Sequence, residues 1–138
     1  MKVHIVNKGE EHIEGYAKVE VDDNSFDMSD YSNNECSFIL ASDFVDMFPH
    51  HQLGEAISVL RTKMRMGSTA IIGGTDLRLL ARSIMDGSLD TSTLNEVLYN
   101  KKSISNMREI EGVVEALGLN IVTTKLAGIH YEIECSRE

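Results

Sequence analysis

Residues 37–80 read SFILASDFVDMFPHHQLGEAISVLRTKMRMGSTAIIGGTDLRLL. They spell out strand, loop, amphipathic helix, tight turn, strand, loop and helix in turn. Phe38-Ile39-Leu40-Ala41 is a short apolar run of the kind that forms a strand buried on both faces. Leu53, Ala56, Ile57, Leu60 and Met64 recur at helical spacing and give one apolar stripe. Gly67 is expected to stop that helix, and Thr69-Ala70-Ile71-Ile72 supplies a second buried strand. Thr75-Asp76 is placed to cap a further helix carrying Leu77, Leu79, Leu80 and Ile84. Strand, crossover helix and strand in this order predict a parallel sheet. Open parallel sheets bind ligands beyond the carboxyl ends of their strands, which places Ser42-Asp43-Phe44 and Gly73-Gly74-Thr75-Asp76 on the ligand edge.

Working outward, residues 3–6 (VHIV) read as a first strand and residues 16–21 (YAKVEV) as a second. The segment between them is too short for a full crossover helix and leaves room for a turn or two. Residues 22–34 are polar and turn-rich, with Phe26 and Met28 marking a stunted third strand. Residues 37–41 and 69–72 follow as strands four and five. Residues 91–100 and 105–117 read as helices, the second with Ile110, Val113, Val114 and Leu117 on one side and Gly118 as its stop. Residues 119–125 and 129–135 are strand-like runs joined by Leu126-Ala127-Gly128, the pattern of a terminal hairpin. The expected sheet has strand one in its interior, flanked by strands two and four.

The 138 residues suffice for a single domain with a real core, and 42% apolar residues is ordinary for a globular chain. No apolar run approaches the roughly 18 residues of a membrane span, and the N-terminus lacks a basic-then-apolar leader, so a cytoplasmic address is expected. Cys36 and Cys135 read as reduced, buried small hydrophobes rather than a disulfide. Charge is uneven: residues 1–55 hold twelve acids against Lys2, Lys8 and Lys18, which is the whole net charge of −9. Such a surface repels phosphate backbones and argues against nucleic acid as a partner. It reads as a solvated acidic face, one compatible with a cationic or zwitterionic ligand.

The same stretches resemble the second half of a class I S-adenosylmethionine-dependent methyltransferase of the compact type found with saccharide biosynthesis genes. Such proteins read "ASHVLEHFP", then a helix, then "RVLKPGGxLxIxVPDLxxLAxxYLDG". Ala41-Ser-Asp-Phe-Val-Asp-Met-Phe-Pro49, Thr62-Lys-Met-Arg-Met-Gly-Ser68 and Gly74-Thr-Asp-Leu-Arg-Leu-Leu-Ala-Arg-Ser-Ile-Met-Asp-Gly87 stand in the corresponding places. Lys2-Val-His-Ile-Val-Asn-Lys-Gly9 stands where the family has its first strand and "LGCG" loop, and Gly15-Tyr-Ala-Lys-Val-Glu20 where it has "GWINVD". The resemblance implies an α/β, Rossmann-like methyltransferase fold reduced in size, one domain over residues 1–138, with a mostly parallel sheet and a C-terminal antiparallel hairpin. It implies S-adenosylmethionine as cofactor, a small-molecule acceptor, no membrane partner and a possible homodimer.

The resemblance carries over residue by residue. The glycine loop, whose glycines let backbone approach a ligand, falls on Val6, Asn7 and Lys8 with only Gly9 nearby, so the motif is eroded. Two of its glycines are replaced by residues whose Cβ atoms stand where the methionine part of the cofactor is expected. Asn7, Lys8 and Gly9 are what remains to meet it. Glu20 falls on the acidic position whose carboxylate suits the two ribose hydroxyls. Asp27-Met28 resembles the Asp-Leu pair whose acid meets the adenine amino group while the apolar neighbour covers the ring, and Asp30 competes for that role. Ser42 and Asp43 stand where relatives present residues to cofactor and acceptor, with Asp43 and Met47 replacing the family's usual histidines. Phe44 reads as packing, and His50-His51 as an exposed helix entrance, since adjacent helical residues diverge by about 100°. His4, His12 and His130 are isolated and receive no role. No catalytic residue emerges, and methyl transfer asks for little beyond alignment of donor and acceptor. Two further readings stand beside the enzyme: a non-catalytic methyltransferase-like binding or dimerisation module, and a different α/β binder of nucleotides or nucleosides.

Overall fold

The computed structural model describes residues 1–99 and 101–138. Six strands form one sheet: β1 (Lys2–Asn7), β2 (Ala17–Val21), β3 (Cys36–Ala41), β4 (Met64–Thr75), β5 (Asn120–Ala127) and β6 (His130–Ser136). Their order is β2-β1-β3-β4-β6-β5. The first four run parallel, while β6 is antiparallel to both β4 and β5. The interior first strand, its two flanking neighbours and the terminal hairpin therefore all stand as expected, and the fold is Rossmann-like.

Four α-helices lie among the described residues: α1 (Leu53–Lys63), α2 (Leu77–Met85), α3 (Thr91–Leu98) and α4 (Met107–Ala116), with two short 3-10 turns at Phe44–Met47 and His50–Gln52. Leu53, Ala56, Ile57 and Leu60 of α1 and Ile110 and Val114 of α4 join one buried cluster with Val3, Ile5, Ile39, Ala70, Ile72 and Ile133. Strand side chains alternate between faces, so these residues define one fully covered face of the sheet. The opposite face carries His4, Phe38, Leu40, Ile71, Glu132 and Glu134, all partly accessible. The loop before β2 lies over part of it: Tyr16 meets His4 and Phe38 edge-on, and the Ile13 N–H donates to His4 Nδ1 at 3.1 Å.

Asp76 caps α2 by accepting from the Leu79 N–H at 2.9 Å, as its position implied. Its other carboxylate oxygen accepts from the Met107 N–H at 2.8 Å, so one side chain serves the N-termini of both α2 and α4. Both cysteines are free and buried. Phe44 is fully buried, as a packing residue should be.

The structure corrects several boundaries. Residues 22–34 form no strand. Asp22 and Ser25 close a tight turn through Asp23 and Asn24, both at positive φ, and Phe26 packs its ring on Phe44 and Phe48, each at 5.5 Å. Met28 is buried in the core. Burial of these two side chains wins over strand pairing. The helix before the central turn stops at Lys63 rather than at Gly67, because Met64 already pairs with Cys36 in the sheet. Arg137 Nη1 donates to the carbonyls of Arg61 and Met64 at 2.9 and 2.8 Å and so meets acceptors at the helix end. Gly67, at φ 82°, lies inside a longer β4 next to a register shift, and its N–H donates to the Arg137 carbonyl. The helix expected over residues 91–100 ends at Leu98, and Asn100 lies outside the described residues. The helix expected from Ser105 begins at Met107, since Ser105 is held extended by a bridge to Asp76.

Candidate functional site

The carboxyl ends of β1 and β2 lie side by side, and the loop that leaves β1 folds back on β2. The Lys8 N–H donates to the Val21 carbonyl at 3.0 Å, and the Gly9 N–H donates to Glu20 Oε2 at 2.9 Å. Gly9 has φ 86°, a left-handed conformation that glycine adopts without a Cβ penalty. The Gly9 N–H is the main reason the Glu20 carboxyl lies below the usual carboxylate range, with Lys18 at 3.7 Å adding to it. Glu20 keeps its charge exposed at the sheet edge. Lys8 turns away toward Asp22, 3.3 Å from its Nζ.

Beside this pair opens a cleft of about 260 Å³ lined by Asn7, Glu10, Asp43, Asp46, Tyr99 and Lys101. Asn7 and Asp43 thus meet across the ends of β1 and β3. Asp46 forms the floor. It is 5% exposed, accepts from the Thr75 N–H at 3.0 Å and the Thr75 hydroxyl at 2.9 Å, and faces Lys101 Nζ at 3.0 Å. Gly74 permits this approach, since a Cβ there would come within 2.9 Å of the Val45 Cβ and 3.0 Å of Asp46 Oδ1.

Asp43 has a partner from the far end of the chain. His130 Nε2 lies 2.8 Å from the Ser42 carbonyl oxygen and 3.1 Å from Asp43 Oδ1. Hydrogen bonding to His130 holds the Asp43 carboxyl below its ordinary value, and Asp43 in turn raises His130. Gly73 makes room for this contact, because a Cβ there would collide with the carbonyl oxygens of Ser42 and Tyr131.

Among the residues singled out in the sequence, Asn7 and Asp43 share the cleft, and Gly9 and Glu20 sit bonded to one another beside it. Ser42 presents its carbonyl to His130. Asp27 stands apart: its carboxylate accepts from the Ser29 N–H at 2.8 Å, and Ser29 accounts for its lowered pKa. Met28 lies in the core. The cleft lining also includes Glu10, Asp46, Tyr99 and Lys101, and His130 meets Asp43; the sequence reading singled out none of these for the site. Asp46 sits three residues after Asp43 in the same loop, which was a usable signal; the others reach the edge from segments with no local motif. His50 meets Glu109 at 2.6 Å in an exposed pair, with no further ligand beside them. No group of three or more potential metal ligands occurs among the described residues.

A mostly parallel sheet in this order, closed by an antiparallel hairpin and carrying its cleft at the carboxyl edge, is the fold of class I S-adenosylmethionine-dependent methyltransferases. Solved structures bear this out. An S-adenosylmethionine-dependent methyltransferase from Archaeoglobus fulgidus superposes with a TM-score of 0.62 at 14% identity, covering 98% of this chain and 86% of that one. An O-methyltransferase family protein from Burkholderia thailandensis gives 0.61 at 15%, covering 88% and 36%. The carbon methyltransferase CurJ gives 0.58 at 14%, covering 89% and 35%. The chain thus spans most of the first but only about a third of the other two. No protein-family model and no curated protein sequence matches it.

Proposed function

We propose that the chain is an S-adenosylmethionine-dependent methyltransferase acting on a small or saccharide-linked acceptor. The observation that carries this reading is the acidic cleft at the ends of β1 and β3, set directly beside the Gly9–Glu20 pair. The donor set fits the cofactor's chemistry. Glu20 offers an exposed carboxylate to a vicinal diol, and Asn7, Glu10 and Asp43 offer acceptors to an ammonium and a sulfonium. When bound, S-adenosylmethionine supplies an electrophilic methyl group on a good leaving group. The protein's part is then to hold donor and acceptor in line and to manage the acceptor's proton. The acidity of residues 1–55 favours a small acceptor over nucleic acid. Buried, free Cys36 and Cys135 suit a reducing, cytoplasmic setting. No helix among the described residues is long and apolar enough to cross a membrane.

Isothermal titration calorimetry with S-adenosylmethionine and S-adenosylhomocysteine tests the reading. Saturable binding of both is expected. Absence of heat at millimolar ligand overturns it.

One observation favours a second reading, a non-catalytic module that pairs with a copy of itself. Parallel sheets normally have both faces covered, yet Phe38, Leu40 and Ile71 remain partly accessible on the face opposite α1 and α4. Sedimentation velocity distinguishes the two. A dimer that binds no S-adenosylhomocysteine selects the module; binding by a monomer selects the enzyme.

A further inference from the structure

We propose that the chain pairs with a second copy of itself by a mutual exchange of helices, α2 of each copy covering the open sheet face of the other. This goes beyond both readings above and holds for either, since it uses no residue of the Gly9–Glu20 pair or of the cleft lining.

The pattern of α2 points away from its own chain. At about 100° per residue, Leu79, Leu80 and Ser83 share the inward side, and Leu80 alone is buried. Leu77, Ala81, Ile84 and Met85 share the outward side, where the three large side chains are 49%, 44% and 88% exposed. Arg78 and Arg82 run beside this apolar stripe, and with Ala81 and Met85 they line one shallow depression. Asp86 borders the same depression, but its carboxylate accepts from the Ser88 N–H at 2.9 Å. Neither arginine has an ion-pair partner among the described residues. An apolar stripe exposed in this way marks a surface made to be covered.

The open face of the sheet carries the matching pattern. Neighbouring strands present Phe38 and Leu40 on β3, Ile71 on β4, then Glu132 and Glu134 on β6, all partly accessible. Lys125 stands opposite Glu132 on β5, yet neither glutamate forms an ion pair among the described residues. On both surfaces an apolar stripe is therefore flanked by one row of charge, basic on the helix and acidic on the sheet. The spacings agree. Four residues along a helix advance about 6 Å, and two along a strand about 7 Å. Arg78 and Arg82 can thus meet Glu132 and Glu134 pair by pair while the apolar stripe settles on Phe38, Leu40 and Ile71.

The fold says why the helix must come from another copy. A parallel sheet takes helices on both faces, whereas α1 and α4 pack on one face only. Asp76 ties the start of α2 to the start of α4, on the covered side, and so holds α2 away from the open face of its own chain. A two-fold operation makes the exchange mutual: each copy gives a helix and receives one, and the assembly closes at two. An anionic lipid surface, the other common ligand of a basic apolar helix, is disfavoured by the net charge of −9.

Sedimentation velocity of the full chain tests the pairing, and the wild type should sediment as a dimer at micromolar concentration. Arg78→Glu with Arg82→Glu sets like charges against the β6 glutamates and should weaken the dimer at least about a hundredfold. Glu132→Lys with Glu134→Lys should do the same. Mixed one to one, the two variants should recover the dimer, because each then meets opposite charge on its partner. Met85→Asp should also disrupt it, and circular dichroism should show an unchanged fold there and in the arginine variant, since all three side chains are exposed. A monomeric wild type, a dimer that survives Met85→Asp or the arginine reversal, or folded variants that do not recombine overturns the proposal. Flotation of a monomeric wild type with phosphatidylserine vesicles also overturns it and assigns α2 to lipid. Failure to bind S-adenosylhomocysteine is a different result: it removes the methyltransferase reading and leaves the pairing in place.

Discussion

Asp46 and Thr75 are joined twice. The buried carboxylate of Asp46 accepts from both the backbone N–H and the hydroxyl of Thr75, at 3.0 and 2.9 Å. Lys101 Nζ approaches the same carboxylate at 3.0 Å, and the Asp46 carbonyl accepts from the Lys102 N–H at 2.9 Å. One residue thereby ties the turn after β3 to the end of β4 and to the segment that follows α3.

Replacing it should therefore cost more than a surface acid would. Asp46→Ala leaves two buried donors and a partly buried ammonium without partners, and losses of this kind run to about 3–5 kcal/mol. Lys101→Ala leaves the buried carboxylate with its two Thr75 donors but no cation, and should cost less, about 1–3 kcal/mol. Urea denaturation of both variants checks the ranking. Equal losses would show that the ion pair, rather than the bonds to Thr75, carries the stability.

The central fold was legible because its signals are local. Phe38 to Ala41 and Thr69 to Ile72 are apolar runs bounded by turn residues, and Asp76 stands one residue before its helix. The end of α1 was not legible. Lys63-Met64-Arg65-Met66 continues a helical composition, and only the pairing of Met64 with Cys36 makes it extended. The Phe26–Met28 segment misled for a related reason: its apolar spacing suits a strand, but both residues are drawn into the core. The site divides the same way. Glu20 and Asp43 follow strands and announce themselves, whereas His130 lies 87 residues from Asp43 and joins it only through the close passage at Gly73.

That passage yields a sharp prediction. Gly73→Ala places a methyl group against two backbone oxygens that belong to β6 and to the loop after β3, and neither can swing aside like a side chain. The strands must part, at a cost of about 1–3 kcal/mol, and the His130–Ser42 bond should break. A drop in the raised His130 pKa, followed by NMR, together with a lower melting temperature is expected. Wild-type stability in this variant would mean the edge is looser than its geometry shows.

The pair also sets a direction for stability against pH. His130 is raised above its ordinary 6.5, so its contribution is complete below that value and fades as pH rises through the folded pKa. Asp43 is lowered below its ordinary 3.8, so its contribution is complete above that value and fades as pH falls through the folded pKa. Both operate together between these two ordinary values. The difference in melting temperature between wild type and Asp43→Asn should be largest in that window and shrink above it. It should be small, because the Asp43 side chain is 62% exposed and screened by water. A difference that grows toward alkaline pH would contradict the pairing.

Glu20 separates structure from binding. Its Oε2 accepts from the Gly9 N–H, while Oε1 sits 3.7 Å from an exposed lysine and remains open to a ligand. Glu20→Ala removes both functions. S-adenosylhomocysteine should then bind about tenfold to a hundredfold more weakly. Glu20→Gln keeps one oxygen for the Gly9 N–H but puts an amide NH2, a donor, where the second carboxylate oxygen stood, so it should fall between wild type and alanine. The melting temperature without ligand should change little in either variant, because the carboxylate lies outside the core. Calorimetry on the three proteins gives the ordering. If alanine and glutamine bind as tightly as wild type, the ribose contact belongs to another residue and Glu20 serves only to hold the Gly9 loop.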